Sequence, residues 1–283
     1  MDSEFVYLKP PSLSDLLKHL EPWGEQSKVL AGGTDLLVLL RRHSLSPAYV
    51  VDLKGIEELQ RLEEVEGGDV FLGAGITVNE AAHSGLVQKR YKAVADAANT
   101  LASYQLRNRA TVVGNICNAS PGADLAGPLL VFDAKVQIVS ARGKREVLLQ
   151  DFFAGVKKTI LRPQELVYGL ILPAVAAGER SLYLKQARIK GHDLGIVGVA
   201  ARLDSRKKFH LAMSSVAPTP VRLTRLETLL NDSPWSPELP EQAAEAVREE
   251  IRPISDVRAS AAYRSHMAGV LVKRAIRYLM EEG

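Results

Sequence analysis

An apolar run at residues 29–31 ends on two adjacent glycines, Gly32 and Gly33, followed by Thr34, Asp35 and a second apolar run over 36–40. A strand that runs into paired glycines can turn sharply and leaves its N–H groups uncovered by side chains. Such a turn feeding a helix can receive an anion, most often a phosphate. The same letters also describe a plain strand-to-helix turn capped by Thr34 or Asp35. The constraint on fold comes from the flanks. Residues 5–8 read as a short strand closed by Pro10 and Pro11. Ser12 caps a helix over 13–20, and 35–42 reads as a helix before a strand at 49–53. Strand, helix, strand, helix, strand in this order makes a compact unit with parallel strands.

The pattern then changes. Residues 59–65 and 70–72 flank Glu66-Gly67-Gly68-Asp69, a hairpin signal. Gly73-Ala74-Gly75 looks like a dinucleotide fingerprint without its third glycine, and Thr77-Val78-Asn79-Glu80 is a capping box that opens a short helix instead. A longer helix is predicted from 94 to about 104. A hairpin spans 135–140 and 145–149, and a strand at 165–172 is stopped by Pro173. Residues 173–180 read as a linker. Beyond it, 182–187, 196–203 and 209–216 are strand-like, a helix starts near Thr224, and 237–250 and 260–282 are helical. The predicted class is α+β: a mixed domain to about 175, then a strand meander and helices.

Several function classes are excluded by composition. The net charge of +3 over 283 residues, with no dense Lys/Arg stretch, does not suggest a nucleic-acid partner. Arg41-Arg42 and Lys157-Lys158 read as isolated solvated pairs. One cysteine, Cys117, allows no intrachain disulfide and no cysteine-held metal cluster, and the six histidines show no metal-ligand spacing. With no apolar run near the length of a membrane span and an acidic start lacking an apolar signal core, the expectation is a soluble, cytoplasmic protein.

The most informative stretch lies at 109–124. It carries Thr111, Asn115, Asn118, Ser120 and Asp124 on a backbone of small residues that includes Gly114, Pro121 and Gly122. A long polar loop inside a compact domain is usually functional, and Val112, Val113, Ile116 and Leu125 anchor this one. An irregular connection capping a helix near Leu125 explains the letters equally well. Two donor-rich loops of small residues together suit a large phosphorylated cofactor. Backbone N–H groups and Thr hydroxyls can take a pyrophosphate, and Asp124 can accept from sugar or ribityl hydroxyls. No nucleophile set and no Walker motif accompany them. The chemistry is therefore expected to belong to the cofactor, with no catalytic residue and no metal ligand in this chain.

With AGGTDLL at 31–37, ATVVGNICNASPGADL at 110–125, YLKQAR at 183–188 and DLGIVGVAARL at 193–203, the chain resembles the FAD-binding subunit of molybdenum hydroxylases, the xanthine dehydrogenase and carbon monoxide dehydrogenase family. The resemblance covers nearly the whole sequence. It implies a two-lobed FAD-binding domain over 1–175, with a small parallel lobe to about 57 and a mixed or antiparallel lobe over 58–175. A C-terminal domain over 176–283 is implied, with a three-stranded antiparallel sheet and a helical bundle. In the family the first loop wraps the FAD pyrophosphate. Its counterparts here are Val29, Leu30, Ala31, Gly32, Gly33, Thr34, Asp35 and Leu36, with Gly32, Gly33 and Thr34 nearest. The second loop matches at Ala110, Thr111, Gly114, Asn115 and Ser120. Asp124 matches an acid at the cofactor's polyol and phosphate region, and Val167 an apolar residue by the flavin. Lys185 matches a basic residue near the isoalloxazine, where a cation would stabilise the reduced, anionic ring.

The resemblance also implies partners. A large subunit would hold the molybdenum cofactor and a small subunit two [2Fe–2S] clusters. Electrons would pass through FAD in this chain to NAD, a quinone, another carrier or oxygen. One departure stands out: Val113 occupies a place where the family often has glycine, and valine restricts the positive φ a glycine allows. Cys117 alone cannot hold the extra iron–sulfur cluster of some relatives and reads as a buried small hydrophobe. Two other readings stay open at this point: a self-contained FAD oxidase of the vanillyl-alcohol-oxidase-type fold, and a scaffold subunit that has lost the cofactor.

Overall fold

The computed structural model describes residues 5–189, 191 and 193–281. The first unit contains β1 (Val6–Leu8), α1 (Leu13–Trp23), β2 (Ser27–Leu30), α2 (Leu36–Arg41) and β3 (Tyr49–Asp52). Its three strands are parallel in the order β1-β3-β2, with Val6 and Ser27 both opposite Tyr49. Ser12 Oγ accepts from Asp15 N and starts α1, as the sequence predicts. The helix continues past Leu20 through Pro22 to Trp23, whose ring stacks on Tyr49 at 3.9 Å between centroids. Gly24, at φ 44°, then ends it.

The second unit runs β4 (Leu62–Glu64), β5 (Val70–Gly73), α3 (Val78–His83), α4 (Gly85–Arg90), α5 (Lys92–Thr100), α6 (Tyr104–Arg107), α7 (Val112–Cys117) and α8 (Ala126–Val131). It finishes with β6 (Lys135–Ser140), β7 (Gly143–Leu148), the short pair β8 (Phe153–Gly155) and β9 (Lys158–Thr159), and β10 (Leu166–Leu172). The large sheet is antiparallel in the order β4-β5-β10-β6-β7. Two predictions differ here. The helix expected from 94 to 104 stops at Thr100, because Leu101 is extended and Ser103 Oγ accepts from Leu106 N to start α6. The stretch read as an irregular loop contains α7, and α8 follows it close to the helix start read near Leu125. Thr111 caps α7 through its hydroxyl, which accepts from Gly114 N at 2.9 Å.

The last unit comprises β11 (Arg180–Gln186), β12 (Val197–Leu203), β13 (Phe209–Ser214), β14 (Val221–Arg222), α9 (Thr224–Asp232), α10 (Leu239–Glu250) and α11 (Ala261–Glu281). The last residue of the predicted 260–282 helix, Glu282, lies outside the described residues. The three predicted strands form an antiparallel sheet in sequence order, and two-residue β14 extends it. Side chains alternate across this sheet with period two. Leu182, Val197, Val199, Leu211 and Met213 pack with α9, α10 and α11 in one core. Tyr183, Ala200 and Ala212 turn the other way, into the core built around α1, α5, α8 and the large sheet. The sheet is thus a shared wall. It is tied to α8 by Arg202, which donates to the Val131 carbonyl, and by Arg222, which donates to the Leu130 carbonyl and pairs with Asp133.

Candidate functional site

The first turn is held from behind. Asp52, buried at the end of β3, accepts from Tyr7 Oη and pairs with Lys54 at 2.7 Å, and Lys54 Nζ also donates to the Ala31 carbonyl at 3.2 Å. Val29 and Leu30 lie in β2, paired with Val51 and Asp52. Their backbones serve the sheet. The turn proper is Gly32 to Asp35. A Cβ on Gly32 would stand 2.0 Å from the Arg109 carbonyl oxygen and 2.9 Å from Ala110 Cα. Only glycine therefore lets the first turn lie directly on the second loop. Gly33 adopts φ 77°, which favours glycine as well. Among the described residues, no backbone N–H from 32 to 36 donates within the chain; the first such bond in α2 runs from Leu37 N to the Gly33 carbonyl.

The second loop is pinned on its other side by the segment after β5. Val78 N donates to the Ala110 carbonyl at 2.8 Å, and Val112 N to the Ile76 carbonyl at 3.1 Å, with Thr77 bridging Thr111. Asn118 joins the two loops: its Nδ2 donates to Asp35 Oδ1 at 2.9 Å, and its Oδ1 accepts from Lys157 Nζ at 2.8 Å. Neither link is legible in the sequence, because both cross long separations. Lys157 is exposed, as expected of a solvated lysine, and it also braces the loop through Asn118. Val113 is a buried helical residue of α7, so no glycine is required there. Ser120 Oγ accepts from Gly122 N. Asn115 Oδ1 is buried with no hydrogen-bond partner among the described residues. Val167 is buried on β10, at a bulge between Val167 and Gly169, and α7 packs against this strand.

Asp124 and Lys185, far apart in the chain, meet on the face of the shared wall that looks into the first core. Lys185 Nζ donates to Asp124 Oδ2 at 2.8 Å and to the Thr100 carbonyl, at the C-terminus of α5, at 3.2 Å. Asp124 Oδ1 accepts from Tyr183 Oη at 2.8 Å. Burial pushes the Asp124 carboxyl above its ordinary value, opposed by the Lys185 charge and by the two hydrogen bonds. The expected Lys185 cation is therefore already balanced by a carboxylate. Tyr183 escaped the sequence reading, although it lies two residues before Lys185 on the same strand face.

The first turn thus lies on the second loop, and Asp124 at the end of that loop reaches Lys185 on β11. Two features fit a phosphorylated, hydroxyl-rich cofactor: a row of backbone donors with no internal acceptor, and a buried amide oxygen with no donor. Native structures leave few such groups unpaired. The sequence matches the family of the FAD-binding domain in molybdopterin dehydrogenase over residues 3–175, and the C-terminal domain of the CO dehydrogenase flavoprotein over 182–279. The chain belongs to this flavoprotein family.

The relatives of this FAD-binding family cover nearly the whole chain. The xanthine dehydrogenase FAD-binding subunit of Escherichia coli O157:H7 is 32% identical over 95% of this chain and 94% of its own length. The carbon monoxide dehydrogenase medium chain of Hydrogenophaga pseudoflava is 32% identical over 96% of each. A solved structure of carbon monoxide dehydrogenase from the same organism, lacking the Mo-pyranopterin moiety of the molybdenum cofactor, superposes with a TM-score of 0.92 at 31% identity, over 98% of this chain and 97% of that one. The chain is accordingly an oxidoreductase component of the molybdenum hydroxylase type, with FAD as its cofactor. Among the described residues no cluster of His, Cys, Asp and Glu could hold a metal ion, and no helix is long and apolar enough to cross a membrane.

Proposed function

We propose that this chain is the cytoplasmic electron-transfer subunit of a multi-subunit molybdenum hydroxylase. It takes electrons from the [2Fe–2S] clusters of a small subunit, and a large subunit carries the molybdenum cofactor. NAD or another carrier then receives them. The observation that carries the reading is the seating of Gly32 on the Arg109 carbonyl, which puts a run of unpaired N–H groups beside a second polar loop. The naming of relatives as FAD-binding subunits and medium chains supports it. We place the division between the FAD-binding and C-terminal domains near residue 175.

In this reading the N–H groups of Gly32, Gly33, Thr34, Asp35 and Leu36 hold the pyrophosphate, because backbone dipoles converging on one point favour an anion. Val29, Leu30 and Ala31 set the direction from which the turn enters. Ala110, Thr111 and Gly114 keep the second loop at the distance Gly32 requires, while Asn115 and Ser120 offer acceptors to hydroxyl groups. FAD, when bound, supplies the redox chemistry. Val167 gives an apolar contact. An ammonium has three donors, and Lys185 spends two on Asp124 and Thr100, leaving one for the cofactor. Since Asp124 balances its charge, Lys185 acts as a placed donor more than as a bare cation.

The test is the assembled complex. On reduction by a substrate of the large subunit, cluster signals should bleach first and the flavin absorbance after them. A complex assembled without this chain should stop at reduced clusters. Flavin that stays oxidised in the complete complex would contradict the proposal.

A further inference from the structure

One face of β11 carries Ser181, Tyr183 and Lys185 at alternate positions, and each hydrogen-bonds to an element packed against that face. Ser181 Oγ accepts from Ala93 N at 3.1 Å, Tyr183 Oη donates to Asp124 Oδ1, and Lys185 Nζ donates to Asp124 Oδ2. The neighbouring strand makes room for the tyrosine hydroxyl. A Cβ on Gly198 would stand 2.4 Å from Tyr183 Oη and 2.5 Å from Ser214 Oγ. The Ser214 hydroxyl lies on the same side of Gly198 as the Tyr183 hydroxyl. Tyr183 is 6% exposed, so ring and hydroxyl are boxed in.

We infer that Tyr183 is a positioning residue of the cofactor site: its hydroxyl locks the Asp124 carboxylate, ionised, against Lys185, and so fixes where the Lys185 ammonium stands. The inference rests on the FAD reading given above. A buried carboxylate can relax in two ways, by rotating or by taking a proton. A hydroxyl donating to Oδ1 opposes both, since it fixes the carboxylate plane and favours the charged form. Among the described residues the ionisable groups facing Asp124 are Lys185 and Tyr183, both on β11. Thr100 offers only a carbonyl, and that to Lys185. Burial raises the Tyr183 phenol well above its ordinary value, so the hydroxyl keeps its proton and remains a donor. Phenylalanine would keep the ring and remove that donor. Burial of Asp124 would then be opposed by Lys185 alone.

A tyrosine that merely fills the core would affect stability and nothing else. The discriminating experiment measures FAD affinity between about pH 5 and pH 8 for the wild type, Tyr183→Phe and Ser181→Ala. Ser181 is buried on the same strand face but has no bond to Asp124. Affinity should fall on acidification in all three, with the midpoint in Tyr183→Phe higher by about one to two pH units, the worth of a hydrogen bond to a charged acceptor. Ser181→Ala should keep the wild-type midpoint even if it lowers Tm. Coincident midpoints for wild type and Tyr183→Phe would overturn the inference. The Asp124 carboxyl is also titrated by NMR in the three apoproteins. If the wild type binds no FAD, the FAD reading fails, and the NMR midpoints still decide whether Tyr183 holds Asp124 ionised.

Discussion

The Asp124 carboxylate and the Lys185 ammonium stand 2.8 Å apart with only 7% and 6% of their side chains exposed. The pair joins the end of the second loop to the wall strand β11. Removing one partner of a buried pair strands the other charge, whereas replacing both by neutral groups need not cost much.

Asp124→Ala should therefore destabilise the apoprotein by about 3–5 kcal/mol. Adding Lys185→Met should recover most of that loss without restoring FAD binding. Urea denaturation of the two single variants and the double variant measures this. Losses that simply add would show that the two groups are not coupled in the folded chain.

The pH dependence has a definite sign. Burial raises the folded Asp124 carboxyl above its unfolded value, so the folded chain holds that proton more tightly. This contribution favours folding below the unfolded value of about 3.9 and is lost as pH rises through the folded one. Above about pH 4, through the raised folded value, the wild type should lose more stability on going up in pH than Asp124→Asn does. Parallel profiles would mean that Asp124 titrates as a solvated acid.

Gly32→Ala tests the seating of the turn. The new Cβ meets backbone, not a flexible side chain, so the two loops must part. We expect a loss of about 1–3 kcal/mol in stability, as for other overpacked sites. FAD affinity should fall at least about tenfold, the equivalent of 1.4 kcal/mol. Calorimetry of unfolding and of FAD binding reads both. Wild-type affinity would show that the turn does not depend on this contact.

Cys117, half-buried at the end of α7, has its thiol pushed up to about 12 by burial. Since the thiolate is the reactive form, alkylation at pH 8 should be at least ~100-fold slower in the native chain than in urea. Equal rates would place the thiol in solvent.

The sequence carried the parallel β-α-β-α-β order, the hairpins and the wall strands, because each is written in local periodicity and turn residues. It also marked both loops, since Gly32-Gly33 and the polar run to Asp124 are local features. What it could not show are contacts between distant positions. The Asn118 link between Asp35 and Lys157 spans three separate segments, and the Asp124–Lys185 pair requires the C-terminal sheet to face the first core. The helix α7 was hidden because Gly114 and Asn115 are weak helix formers, and its stability comes from the Thr111 cap and the burial of Val112, Val113 and Ile116.

The most direct measurement is a calorimetric titration of FAD into the apoprotein, with Gly32→Ala and Asp124→Ala alongside. The account predicts one FAD per wild-type chain, a yellow complex that survives dialysis, and weaker binding in both variants. Wild-type protein that binds no FAD, or that binds it as well with either variant, would contradict it.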